Sequence, residues 1–128
     1  MKIEYIADGS ADCPLIRLSG HDPVATSRLR DACRALAAGN TDSVAIHTIE
    51  GFAPVGNVTL TAVATRRNRG VTQIGSPDMF QWELTPVWWS NVEGLLDPFC
   101  VSDPTPTGYQ WLDDSGDASV LISPTGSW

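Results

Sequence analysis

Residues 2–7, KIEYIA, alternate loosely between apolar and polar side chains and are rich in strand formers. After a polar stretch, PLIRL (14–18) supplies a second short apolar run. Two such runs around Asp-Gly-Ser predict an antiparallel hairpin, with Pro14 at a strand start or an edge because it has no N–H to give to a ladder. The pattern then changes period. In HDPVATSRLRDACRALAAGN (21–40), Ala25, Leu29, Ala32, Cys33 and Leu36 fall within about 100° of a helical wheel, and Arg30, Asp31 and Arg34 lie opposite. Asp22 is placed to cap this helix, Pro23 to open it and Gly39 to stop it.

Alternation returns in SVAIHTI (43–49), read as a strand, and in NVTLTAVATRRNRGVTQI (57–74), read as a hairpin turning at Asn-Arg-Gly. MFQWELT (79–85) alternates cleanly, with Phe80, Trp82 and Leu84 on one face and Gln81 and Glu83 on the other. TPVWWSNVEGLLDPF (85–99) predicts a second helix, with Thr85 as cap, Pro86 first and Pro98 ending it. Trp88, Val92, Leu95, Leu96 and Phe99 form its apolar stripe, which places Trp88 in the core and Trp89 at the exposed margin. The tail GYQWLDDSGDASVLIS (108–123) predicts a last hairpin around the turn formers 113–117.

Strands and helices do not alternate regularly. The expected fold is therefore α+β: a mainly antiparallel sheet of about six to eight short strands, with two helices packed on one face. No repeat or low-complexity tract divides the chain, and the proline-rich VSDPTPTG (101–108) is too short to be a linker. Residues 1–128 are expected to form one domain, long enough to bury a core without disulfides or metals.

Charge narrows the partners. The net charge is −7, and all eight bases lie at or before Arg69, among seven acids. Gly70 to Trp128 holds eight acids and neither lysine nor arginine. Nucleic acid is not an expected partner, because binding phosphates needs clustered bases that displace counterions. No apolar run approaches the length of a membrane span, and residues 1–10 lack a signal-peptide core. With three widely spaced cysteines, Cys13, Cys33 and Cys100, the expected location is cytoplasmic.

The residues offer little linear chemistry. In DGSADCP, Asp8, Ser10 and Asp12 occupy alternate positions as calcium ligands do, but Cys13 and Ser19 stand where an EF-hand loop needs glycine and glutamate. The spacing recurs at Asp113, Ser115 and Asp117, so turn chemistry accounts for both. Cys13 is the candidate nucleophile and His47 the candidate base, with His21 the other imidazole. Asp8 and Asp12 flank Cys13, whereas reactive thiolates favour electropositive surroundings. Cys33 and Cys100 are expected to be small buried hydrophobes. Arg66, Arg67 and Arg69 are expected at a hairpin tip, either solvated or contacting an anion or a partner. No glycine pattern for a nucleotide accompanies them, and no cofactor or metal site is expected.

The aromatic distribution carries more. Eight of the ten aromatic residues lie from Phe80 onward, in the half that has no base. An acidic face with exposed tryptophan suits a basic protein partner, the indoles anchoring and the carboxylates steering association. The expectation is a non-enzymatic acidic protein-interaction domain, inhibitor-like or immunity-like. Its expected contact residues are Trp89, Trp111, Asp113 and Asp114, with Arg66, Arg67 and Arg69 beside them. The alternative is a small enzyme or metabolite-binding domain whose pocket gathers Cys13, His47 and Arg66 to Arg69 from distant positions.

Overall fold

A computed structural model describes residues 1–103 and 106–128, so Pro104 and Thr105 of the proline-rich segment lie outside the described residues. Along the chain run β1 (Lys2–Ile6), β2 (Leu15–Ser19), α1 (Pro23–Ala38), β3 (Ser43–Ala45), β4 (Ala53–Pro54) and β5 (Thr59–Ala64). They are followed by β6 (Gly70–Gln73), β7 (Met79–Leu84), α2 (Pro86–Leu96), β8 (Gln110–Asp113) and β9 (Ser119–Ser123). Single-turn 3-10 helices occupy Ile46–Thr48 and Asp97–Cys100.

Local signals hold where partners are close in sequence. β1 and β2 pair antiparallel from Lys2 opposite Ser19 to Ile6 opposite Leu15. The intervening loop is shaped by Ser10, whose hydroxyl accepts from the Asp12 N–H at 3.2 Å and whose carbonyl accepts from the Cys13 N–H at 3.3 Å. Asp22 caps α1 by accepting from the Ala25 N–H at 3.0 Å, and Gly39 ends it with φ +77°. Ala25, Leu29, Cys33 and Leu36 are buried along one stripe of that helix. β8 and β9 form the expected last hairpin, with a register irregularity between Trp111 and Asp113.

The α+β class and the two helices are as expected, but the strands divide into two mixed sheets. The first has the order β4-β1-β2-β9-β8 and the second β3-β5-β7-β6. Pairs β1–β4, β2–β9 and β5–β7 are parallel, and the other four are antiparallel. The expected hairpin over 57–74 is overturned, because β7 sits between β5 and β6. The turn that closes is β6–β7, where the Ile74 N–H donates to Met79 O at 2.8 Å. Phe80, Trp82 and Leu84 of β7 are all buried, so the strand with the strongest apolar face takes a central place and Gly-Val-Thr-Gln of β6 takes the edge. Arg66 to Arg69 therefore lie in a crossover loop, not at a hairpin tip.

The strand expected over 43–49 is also shortened. β3 stops at Ala45, and the 3-10 turn that follows carries His47 back to β5. There His47 Nδ1 accepts from the Leu60 N–H at 3.1 Å. An imidazole thus supplies the acceptor that the next residue of β3 would have offered.

One core joins the layers. Tyr5 of β1 packs on Phe80 of β7 with ring centroids 4.6 Å apart, so the sheets face each other across shared apolar side chains. α1 packs on β5 and α2 on β7 of the second sheet, α2 also meets β8 of the first, and the two helices pack against each other. Ion pairs span the helix pair: Arg34 to Glu93 at 2.8 Å, and Arg30 to Asp97, in the turn after α2, at 3.1 Å. The basic helix of the first half thereby neutralises two of the eight acids in the second. Charge segregated along the chain is partly mixed in space.

The order of the adjacent tryptophans is the reverse of the expectation. Trp89 is fully buried, whereas Trp88 is 48% exposed. Both border the apolar stripe, so periodicity alone does not separate them. Trp89 finds an acceptor for its indole N–H in Val63 O at 3.1 Å and stacks edge-on against Trp82 at 4.9 Å. A buried indole needs such an acceptor.

Candidate binding cleft

The apolar surface of α2 is wider than the strip that enters the core. Trp89, Val92 and Leu96 face inward. Trp88, Asn91 and Leu95, spaced i, i+3 and i+7, form a second ridge on the flank, as helical geometry requires. This ridge is one wall of a surface cleft of about 390 Å³. The opposite wall is Trp111, Leu112, Asp113, Asp114 and Ser115, from β8 and the start of its turn, and Asn68 closes one end.

Three contacts hold that second wall. Gly70 and Gly116 bring two backbones together so closely that a Cβ on Gly116 would lie 2.3 Å from Val71 N and 2.5 Å from Val71 O. Beside them the Asp117 N–H donates to Val71 O at 2.8 Å, which fastens the β8–β9 turn to the edge of the second sheet. Trp82, buried in the core, donates its indole N–H to Asp113 Oδ2 at 3.0 Å. Asp113 Oδ1 accepts from both the N–H and the hydroxyl of Ser115, at 3.2 and 2.8 Å. The register irregularity beside Asp113 turns Leu112 inward, where it is buried, and leaves Trp111 half-buried at the cleft. Such irregularities re-aim side chains.

The two neighbouring carboxylates therefore differ in role. Asp113 is occupied by Trp82 and Ser115, whereas Asp114 is exposed and has no hydrogen-bond or ion-pair partner among the described residues. Trp111 and Asp114 also wall a second cleft of about 330 Å³, shared with Ala11, Asp12 and Ser119. The DGSADCP loop thus contributes Asp12 to the surface beyond the ridge.

Of the expected contact residues, Trp111, Asp113 and Asp114 line the cleft. Trp89 does not, and Trp88 stands in its place. Arg66, Arg67 and Arg69 are exposed, and none forms an ion pair among the described residues. Their loop reaches the cleft through Asn68, whose Oδ1 accepts from the Thr85 N–H at the start of α2 at 2.8 Å. Leu95 was expected in the core and Asn68 and Ser115 in turns, so these three and Asn91 are cleft residues that the sequence did not assign to a site. The Trp88-Asn91-Leu95 spacing was the available signal: a polar residue centred on an apolar helical ridge.

Cys13, His47 and the three arginines line none of four surface clefts of about 330 to 640 Å³. Cys13 is half-buried, with its Sγ 3.6 Å from Ser10 Oγ. His47 has its Nδ1 committed to Leu60. Burial, reinforced by the Glu93 charge, pushes the Cys33 thiol up to about 12. Cys100 is half-buried rather than fully buried, hydrogen-bonds to Leu96 O at 3.3 Å, and is likewise raised, chiefly by burial. No helix among the described residues is long and apolar enough to cross a membrane.

Comparisons with protein-family models, with curated proteins and with solved structures found no match for this chain.

Proposed function

We propose that this chain is a non-enzymatic protein-interaction domain that docks a basic partner in the cleft between α2 and the β8–β9 turn. The observation that carries the reading is one cleft that sets the accessible indole of Trp88 on one wall opposite the indole of Trp111 and the unpartnered carboxylate of Asp114 on the other. Aromatic side chains in a partly desolvated pocket are the usual anchors of protein interfaces, and charge beside them sets partner choice and association rate. The walls sit on regular elements: Trp88 on a helix that contributes to the core, Trp111 on a strand whose turn is fastened at Gly70 and Gly116. Such a surface is formed before its partner arrives, which lowers the ordering cost of binding.

The test places a photo-cross-linking residue, benzoylphenylalanine, at position 88 and separately at Val24, an exposed residue of α1. Expressed in the native cell, the variant at 88 is expected to trap a protein of net positive charge that the variant at 24 does not. The adduct should diminish with Asp114→Asn and with added salt. An adduct common to both positions, or a partner of net negative charge, overturns the reading.

A further inference from the structure

We infer that the cleft receives a guanidinium, the side chain of an arginine on the partner protein, held against the indoles of Trp88 and Trp111 with its charge met by Asp114. This inference rests on the docking reading above and narrows it to one chemistry.

The argument begins with the ionisable groups. Asp113 and Asp114 are the two that line the cleft, and both are acidic. The oxygens of Asp113 are committed to Trp82 and Ser115, so Asp114 is the carboxylate left to meet an occupant. An anion entering here meets like charge. A neutral apolar group would strip water from Asp114 and return nothing, and an unpaired carboxylate is costly to desolvate. A cation compensates that loss.

The aromatic walls then select among cations. Indole faces attract positive charge, more strongly as water is excluded. A guanidinium is planar, weakly hydrated and able to lie on an aromatic face while its edge N–H groups reach a carboxylate. A lysine ammonium is compact and strongly hydrated, and gives up more on entering. The Asn91 side chain makes no hydrogen bond among the described residues, and its amide oxygen is a further acceptor for one of arginine's five donors. A protein side chain, rather than a free small cation, fits the continuation of the surface past the Trp111–Asp114 ridge. The adjoining cleft presents a further carboxylate, Asp12, to the chain on either side of the arginine.

The experiment is an NMR titration of the tryptophan indole N–H resonances with the peptide acetyl-Gly-Arg-Gly-amide. Matched peptides carry lysine, citrulline or norleucine at the centre. The arginine peptide is expected to shift the Trp88 and Trp111 resonances saturably while that of buried Trp89, bonded to Val63 O, stays in place and reports an intact fold. Citrulline and norleucine should bind at least tenfold more weakly, lysine several-fold more weakly, and Asp114→Asn should weaken the arginine peptide about tenfold. Equal binding of norleucine or citrulline, indifference to Asp114→Asn, or no shift with any peptide overturns the inference. If the peptides fail while the cross-link from position 88 persists, the guanidinium inference falls and the docking reading stands. If the arginine peptide binds and the cross-link is absent, the docking reading is the one that falls.

Discussion

Gly116 offers a sharp test of how the cleft is held, because its substitution by alanine reverses the usual sign of a glycine change. Its backbone does not require positive φ, so Gly116→Ala would ordinarily stabilise by about 0.4–1 kcal/mol through the unfolded chain. Here the new Cβ would lie 2.3 Å from Val71 N, 2.5 Å from Val71 O and 2.7 Å from Gly70 C, all backbone atoms that cannot swing aside. The turn must lift from β6. Overpacking of this kind costs about 1–3 kcal/mol. Losing the Asp117 N–H to Val71 O hydrogen bond adds about 1 kcal/mol. Set against the unfolded-chain gain, a net loss of about 1–3 kcal/mol is expected. Urea unfolding followed by tryptophan fluorescence reads it as a midpoint lowered by about 0.5–1.5 M, given a slope of about 2 kcal/mol/M for a small protein. Gly94→Ala is the matched control, since its Cβ meets nothing within 4 Å and it lies inside α2. That variant should gain about 0.5–1 kcal/mol. Because the displaced turn also pulls Asp113 from Trp82, combining Gly116→Ala with Asp113→Ala should cost less than the sum of the two. A Gly116→Ala protein as stable as its parent would refute the seam as described.

Three further outcomes follow from the same contacts. Asp113→Ala leaves the buried Trp82 N–H without its acceptor and should cost about 1–3 kcal/mol in urea unfolding, while Asp114→Asn, on an exposed side chain, should stay within about 0.5 kcal/mol. Trp89→Ala should cost about 3–5 kcal/mol by emptying a core site, whereas Trp88→Ala should cost less than about 1 kcal/mol; equal losses in thermal melts would contradict the assigned orientation of α2. In the unfolded chain the Cys33 thiol ionises near its ordinary 9.0, and in the folded protein near about 12, so between those values the unfolded state binds fewer protons and stability falls as pH rises. Unfolding at a series of pH values should show an extra loss of about 1.4 kcal/mol per pH unit in that window, absent from Cys33→Ala.

Local pattern was enough wherever an element is specified by its own residues. Asp22, Pro23 and Gly39 bound α1 because capping and φ constraints act within a few residues. Phe80, Trp82 and Leu84 mark β7 because period-two alternation needs no partner to be visible. The β1–β2 and β8–β9 hairpins were legible because each strand's partner follows within a short loop. Part of one cleft wall was legible too: Trp111, Asp113 and Asp114 stood out as an aromatic beside acids in a turn-rich segment.

Partner choice between distant strands was not legible. The insertion of β7 between β5 and β6 is decided by where the largest apolar face is best covered, a quantity summed over both helices and both sheets. The same sum placed Trp89 in the core, where its indole N–H reaches Val63 O, and Trp88 on the surface, for both border one apolar stripe and local periodicity does not separate them. The distinction between Asp113 and Asp114 depends on Trp82, 31 positions away from Asp113. The seam at Gly70 and Gly116 likewise joins backbones that no local rule brings together. Sequence alone determined the periods, the caps and the charge asymmetry of this protein, because those are properties of neighbouring residues. Tertiary structure alone decided which aromatic and which carboxylate face outward, because that follows from long-range packing and from which polar groups find partners inside it.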